Sequence, residues 1–127
     1  MKDLNRSHPG YDLKFPVAAA IFTTILTVFA TGPFGIGVTP DSVAYISTAR
    51  NLLTDGTLQT FDSEPLVSWP PAFPVLIAVP GLVGIDAMEA ARYTNAIIIG
   101  LIVFVGALLL SVVLKNRLLI LIGTAMA

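Results

Sequence analysis

From Tyr93 to Leu114 the chain reads YTNAIIIGLIVFVGALLLSVVL, 22 residues without a single charge. About 20 apolar residues in a helix cross the roughly 30 Å hydrocarbon core of a bilayer. Lys115-Asn116-Arg117 ends the run. A second uncharged stretch, FPVAAAIFTTILTVFATGPFGIGV, fills 15–38, and its part up to Gly32 has 18 residues. That is near the minimum for a span, and Pro16 falls in the first turn, where its missing N–H is harmless. LLILIGTAMA, 118–127, opens a third apolar run of ten residues, too few to cross as a helix. The expectation is a truncated third span, with this chain the front of a larger protein.

Composition agrees with the runs. Of 127 residues, 55% are hydrophobic and only 12% charged, with a mean hydropathy of +0.84. A soluble domain of this length would need more polar surface. The net charge of −1 offers nucleic acid no electrostatic hold. With no cysteine there is neither a disulfide nor a thiolate metal site. The lone histidine, His8, sits in the polar tail 1–14 and cannot build a metal site alone. A cleaved signal peptide competes with the first span. The tail contains acids and Ala30-Thr31-Gly32 is a poor cleavage site, so a retained signal anchor is the better reading.

The cations set an expected orientation. Lys2, Arg6 and Lys14 lie in the tail, and Lys115 and Arg117 in the turn 115–117. Between the spans there are only Arg50 and Arg92, against Asp41, Asp55, Asp62, Glu64, Asp86 and Glu89. Positive residues stay cytoplasmic. The tail and turn are therefore expected inside the plasma (cytoplasmic) membrane, and the loop 33–92 outside. The fold expected is all-α membrane: transmembrane helices at 15–32 and 93–114, and two interfacial helices in the outer loop.

The first of those loop helices is expected over 41–53. Thr39 can cap it, Pro40 suits its first position and Gly56 its end. On a helical wheel Asp41, Tyr45, Thr48 and Leu52 share one stripe, with Val43, Ile46, Arg50 and Leu53 around the opposite side. The second is expected over 72–85, too short to span and interrupted by Pro74 and Pro80. Trp69-Pro70-Pro71 leads stiffly into it, and Trp69 suits the headgroup layer. Asp86-Ala-Met-Glu-Ala-Ala-Arg92 leads into the second long span, with Glu89 and Arg92 spaced to pair.

Asp41-x-x-x-Tyr45, the pair Pro70-Pro71 followed by an aromatic and a proline, and Ala-Ala-Arg92 before a span resemble the N-terminus of GT-C glycosyltransferases. These are polytopic enzymes typified by protein O-mannosyltransferases and bacterial lipid A aminoarabinose transferases. The resemblance covers about 15–117. It implies that Asp41 is the catalytic acid opening the first interfacial helix, and that Tyr45, Arg50, Trp69 and Arg92 are substrate-contacting candidates. Two positions depart from the pattern: Ser42 stands where many members have a second acid, and Trp69 where some have a lysine suited to a lipid phosphate. The partners implied are a lipid-linked sugar donor, membrane lipid and the missing C-terminal spans.

The chemistry implied is transfer of a sugar from a polyprenyl phosphate to an acceptor hydroxyl at the outer face, with Asp41 as general base. The 127-residue chain alone is expected to be inactive. No cofactor is required by anything in the sequence, and a divalent metal at Asp55, Asp62 or Glu64 has no support. Each residue also has a structural reading. Asp41 suits a first turn through the helix dipole, Tyr45 suits packing, Trp69 interface anchoring, and Arg92 an ion pair with Glu89. The competing function is a small non-catalytic membrane anchor or partner subunit that docks through its outer helices. Ala96, Gly100, Gly106 and Ala107 would then supply small surfaces for helix packing. A transporter fragment is weaker, because neither span carries an internal charge.

Overall fold

The computed structural model describes residues 13–33, 35–114, 120 and 122–124. Among these the chain is helical: α1 (Lys14–Thr31), α2 (Pro40–Thr54), α3 (Ala72–Ala78) continued by a 3-10 turn (Val79–Val83), and α4 (Ala87–Val113). The tail before Leu13, the turn 115–117 and most of the expected third span lie outside the described residues.

Two helices are long and apolar enough to cross a membrane, α1 with 18 residues and α4 with 27. At 1.5 Å per residue α4 is about 40 Å long. Apolar side chains stand exposed along both, Phe29 of α1 and Val113 of α4 each at 75%. Helices buried in a soluble core do not look like this.

The chain forms two compact units. Residues 24–98 hold the one with a packed centre. There Ile46 and Ala49 of α2, Ile77 and Ala78 of α3, and Ala87, Ala90 and Ala91 of α4 form a small core, with Ile36, Tyr45, Leu52 and Phe73 against it. The alanines let helix backbones approach closely. At Gly81 an added Cβ would run into the Leu53 side chain, so the 3-10 turn also lies close on α2. In the other unit, residues 1–23 with 99–127, Val103 and Ala107 are buried. Gly123 there lies beside Leu110, whose Cδ1 would be 2.9 Å from an added Cβ.

Helix ends follow local chemistry. Thr39 caps α2 by accepting a bond from Ser42 N at 3.3 Å, Pro40 opens the helix, and Asp55 closes it. Gly56 follows at φ +68°, the left-handed conformation that a glycine reaches without strain. The apolar segment expected to be helical over 72–85 is shorter as an α-helix. Pro80 has no N–H for the Leu76 carbonyl, so the chain tightens into the 3-10 turn and Gly84 reverses it at φ +86°. Helix α4 begins at Ala87 rather than at 93, because Asp86 caps it: Met88 N donates to Asp86 Oδ1 at 2.9 Å. The spacing Asp86-x-x-Glu89 is a capping-box pattern.

Burial on α2 also differs from the wheel. Ala44, Ile46, Thr48 and Ala49 are buried, a face that straddles both expected stripes because α3 and the start of α4 pack on adjacent sides. The Thr48 hydroxyl is fully buried without a hydrogen-bond partner, while Ser47 Oγ donates to Ala44 O at 3.0 Å. An unpaired buried hydroxyl costs about 1–3 kcal/mol. Thr48→Val, which keeps the shape, should hold or raise the thermal midpoint in detergent followed by circular dichroism. Ile77→Ala should lower stability by roughly 2–5 kcal/mol.

Candidate functional site

Asp41 is the second residue of α2 and is exposed. Thr39, not Asp41, supplies the side-chain cap, and the Thr39 and Ser42 hydroxyls bond to each other at 2.9 Å. The Asp41 carboxylate makes no hydrogen bond or ion pair among the described residues. It is thus the acid in α2 with no structural partner.

Tyr45 lies one turn further on the same face, and helical side chains lean toward the N-terminus, so its ring tilts toward Asp41. Two aromatic side chains from beyond the loop meet it edge-on. Trp69 has its ring centroid 6.5 Å away at 70°, and Phe73 lies at 5.3 Å and 74°. Such edge-to-face pairs are favoured by the ring quadrupoles. Tyr45 and Trp69 are half-buried, and neither the Tyr45 hydroxyl nor the Trp69 indole N–H has a hydrogen-bond partner among the described residues. Phe73 is the contributor that the sequence reading missed. Its signal was only a place two residues after Pro71.

The two arginines sit elsewhere. Arg50 is nine residues beyond Asp41, which on an α-helix is about 180° around and ~13 Å along. Its guanidinium grips Asp86: Nη2 donates to Oδ1 and Oδ2 at 2.9 Å each, and Nε to Oδ2 at 3.1 Å. This joins the middle of α2 to the start of α4. Arg92 is largely covered, its side chain 15% exposed. It donates through Nη2 to Val28 O at 2.9 Å, through Nε to Thr31 Oγ1 at 3.1 Å, and through Nη1 to Glu89 at 3.0 Å. The expected Glu89 pairing is there, but the main targets are the last turn of α1. The guanidinium also lies 5.2 Å from the Tyr93 ring centre.

The loop between α2 and α3 is ordered by its own polar groups. Asn51 Nδ2 donates to Gln59 O at 2.9 Å and Thr60 O at 3.2 Å, and Gln59 bridges Pro65. Asp62, expected as a solvated loop charge, accepts bonds from the Thr60 hydroxyl and from Glu64 N. The Thr60 hydroxyl, ahead of the backbone N–H groups, holds the Asp62 carboxyl below its ordinary value. Ser63 turns the tip at φ +65°. Among the described residues no three histidine, aspartate or glutamate side chains gather into a group that could hold a metal.

No family model, curated protein or solved structure matches the chain.

The Asp86 carboxyl is held below its ordinary value, first by the Arg50 hydrogen bonds and then by Met88 N. A lowered folded-state value means the pair's contribution is full above the unfolded value of 3.8 and vanishes as pH falls through the folded one. The pair is half exposed, so it contributes no more than about 1 kcal/mol. Thermal midpoints between pH 7 and 3 should drop for the native chain below about pH 4. Asp86→Asn, which keeps the cap, should start lower at pH 7 and lose this part of the acid dependence.

Proposed function

We propose that this chain is the front part of an integral-membrane glycosyltransferase of the GT-C type. On this reading α1 and α4 span the plasma membrane, the N-terminus is cytoplasmic, and α2 and α3 lie along the outer surface. The observation that carries it is Asp41: an exposed carboxylate at the head of α2, with no structural partner, between two helices long and apolar enough to span a bilayer. The Asp41, Tyr45, Pro70-Pro71 and Arg92 pattern supplies the family.

The reaction is an inverting transfer. An acceptor hydroxyl oxygen forms its bond to the anomeric carbon of a polyprenyl-phosphate sugar while the bond from that carbon to the phosphate oxygen breaks. Asp41 takes the hydroxyl proton, and the lipid phosphate leaves with the electron pair. A positioned base contributes typically ~10²–10⁴-fold. Arg50 and Arg92 do not serve the leaving phosphate on this reading. Arg50 is on the far side of α2 from Asp41, and Arg92 is engaged by Val28, Thr31 and Glu89. The phosphate partners then belong to other spans of the enzyme.

Asp41→Asn, in the complete membrane protein, should reduce sugar transfer by at least about 10²-fold with unchanged insertion and abundance in the membrane. Transfer at the native rate by that variant would refute the reading.

A further inference from the structure

The aromatic cluster beside Asp41 has a composition that the general-base role does not use. Three polar groups of different kinds end there without protein partners. The Asp41 carboxylate only accepts, the Trp69 indole N–H only donates, and the Tyr45 hydroxyl does either. All three belong to the unit 24–98. Tyr45 is fixed by two ring edges, and Trp69 is held by the stiff Pro70-Pro71 step into α3.

The ligand that satisfies such a set can be narrowed by chemistry. A purely apolar partner, such as an acyl chain, would leave three polar groups covered and unpaired. A phosphate would meet the Asp41 charge with Arg50 turned away on the opposite side of the helix. An ammonium would satisfy the carboxylate and the ring faces but give the indole N–H nothing to bond. A neutral polyhydroxylated ring satisfies all of them. Its hydroxyls accept from Trp69, donate to Asp41 and do either with Tyr45, while its C–H faces lie on aromatic carbon.

We infer that Asp41, Tyr45, Trp69 and Phe73 form a subsite for the monosaccharide ring of the donor, with Trp69 and Tyr45 as binding residues that read the sugar rather than its phosphate. This rests on the glycosyltransferase reading above and adds the residues that hold the sugar. It also explains the exchange of lysine for tryptophan at 69: the position contacts ring carbon and a hydroxyl, not a charged oxygen. Phe73 acts through Tyr45, whose ring it steadies, and is a positioning residue.

Trp69 is the only tryptophan in the chain, so its fluorescence reports the subsite directly. The full chain in lipid nanodiscs would be titrated with short polyprenyl phosphates carrying a neutral hexose or pentose. The same polyprenyl phosphate without sugar and an alkyl trimethylammonium serve as comparison probes. A sugar-bearing lipid should change Trp69 emission saturably, at least about tenfold tighter than the bare lipid phosphate. Tyr45→Phe should weaken that binding roughly 3–10-fold without altering the helical spectrum.

Equal binding of the bare lipid phosphate would overturn the subsite, as would tighter binding of the ammonium or no saturable response to any sugar lipid. Asp41→Asn separates the two ideas. Sugar binding retained with transfer lost supports both. Transfer retained with sugar binding intact removes the general base and keeps the subsite. Transfer lost with no sugar-dependent emission change in the native chain removes the subsite and keeps the general base.

Discussion

Helix α1 ends with backbone carbonyls that have no N–H partner further along the chain, and a single arginine from 61 and 64 residues away supplies two of the donors. Arg92 reaches Val28 O and the Thr31 hydroxyl while its remaining edge holds Glu89. In an apolar setting an unmet carbonyl is expensive, so this guanidinium fixes where α1 stops and how the chain leaves it. Gly32 is part of the same arrangement. A Cβ there would stand 3.3 Å from both Arg92 Nη2 and Phe29 O. The segment that delivers Asp41 to the head of α2 therefore departs from a fixed point.

The other side of α2 is held in a similar way by a different charge. Arg50 and Asp86 join α2 to the start of α4, and Asp86 also caps α4. Between them, Ile46 and Ala49 pack on alanines of α4 and on Ile77. Both outer cations are thereby committed to holding helices, which leaves Asp41, Tyr45 and Trp69 without polar partners. An acid that neither caps its helix nor pairs with a cation, beside an aromatic cluster with open hydrogen-bonding groups, is organised to meet a ligand.

Much of the framework was legible along the chain because its causes are local. Two uncharged runs marked α1 and α4, and Thr39-Pro40 with Gly56 bracketed α2 to within a residue or two. Local signals misjudged two boundaries. Pro80 was read as an interruption but not as the point where an α-helix becomes a 3-10 turn. Asp86-x-x-Glu89 carried a cap signal that moved the start of α4 from 93 to 87. The site was legible only at Asp41 and Tyr45, whose spacing on one helix places them on one face.

What the sequence determined by itself were the elements governed by neighbours a few residues apart: apolar length, caps, turns and the face shared by Asp41 and Tyr45. Only the tertiary structure decided which charges are engaged and which are not. Arg50 finds Asp86 across 36 residues, Arg92 finds Val28 across 64, and Tyr45 meets Trp69 and Phe73 from beyond a loop. Such pairings depend on where helices cross, and crossing is set by the alanine and glycine surfaces that let backbones approach. No periodicity in the chain encodes that choice.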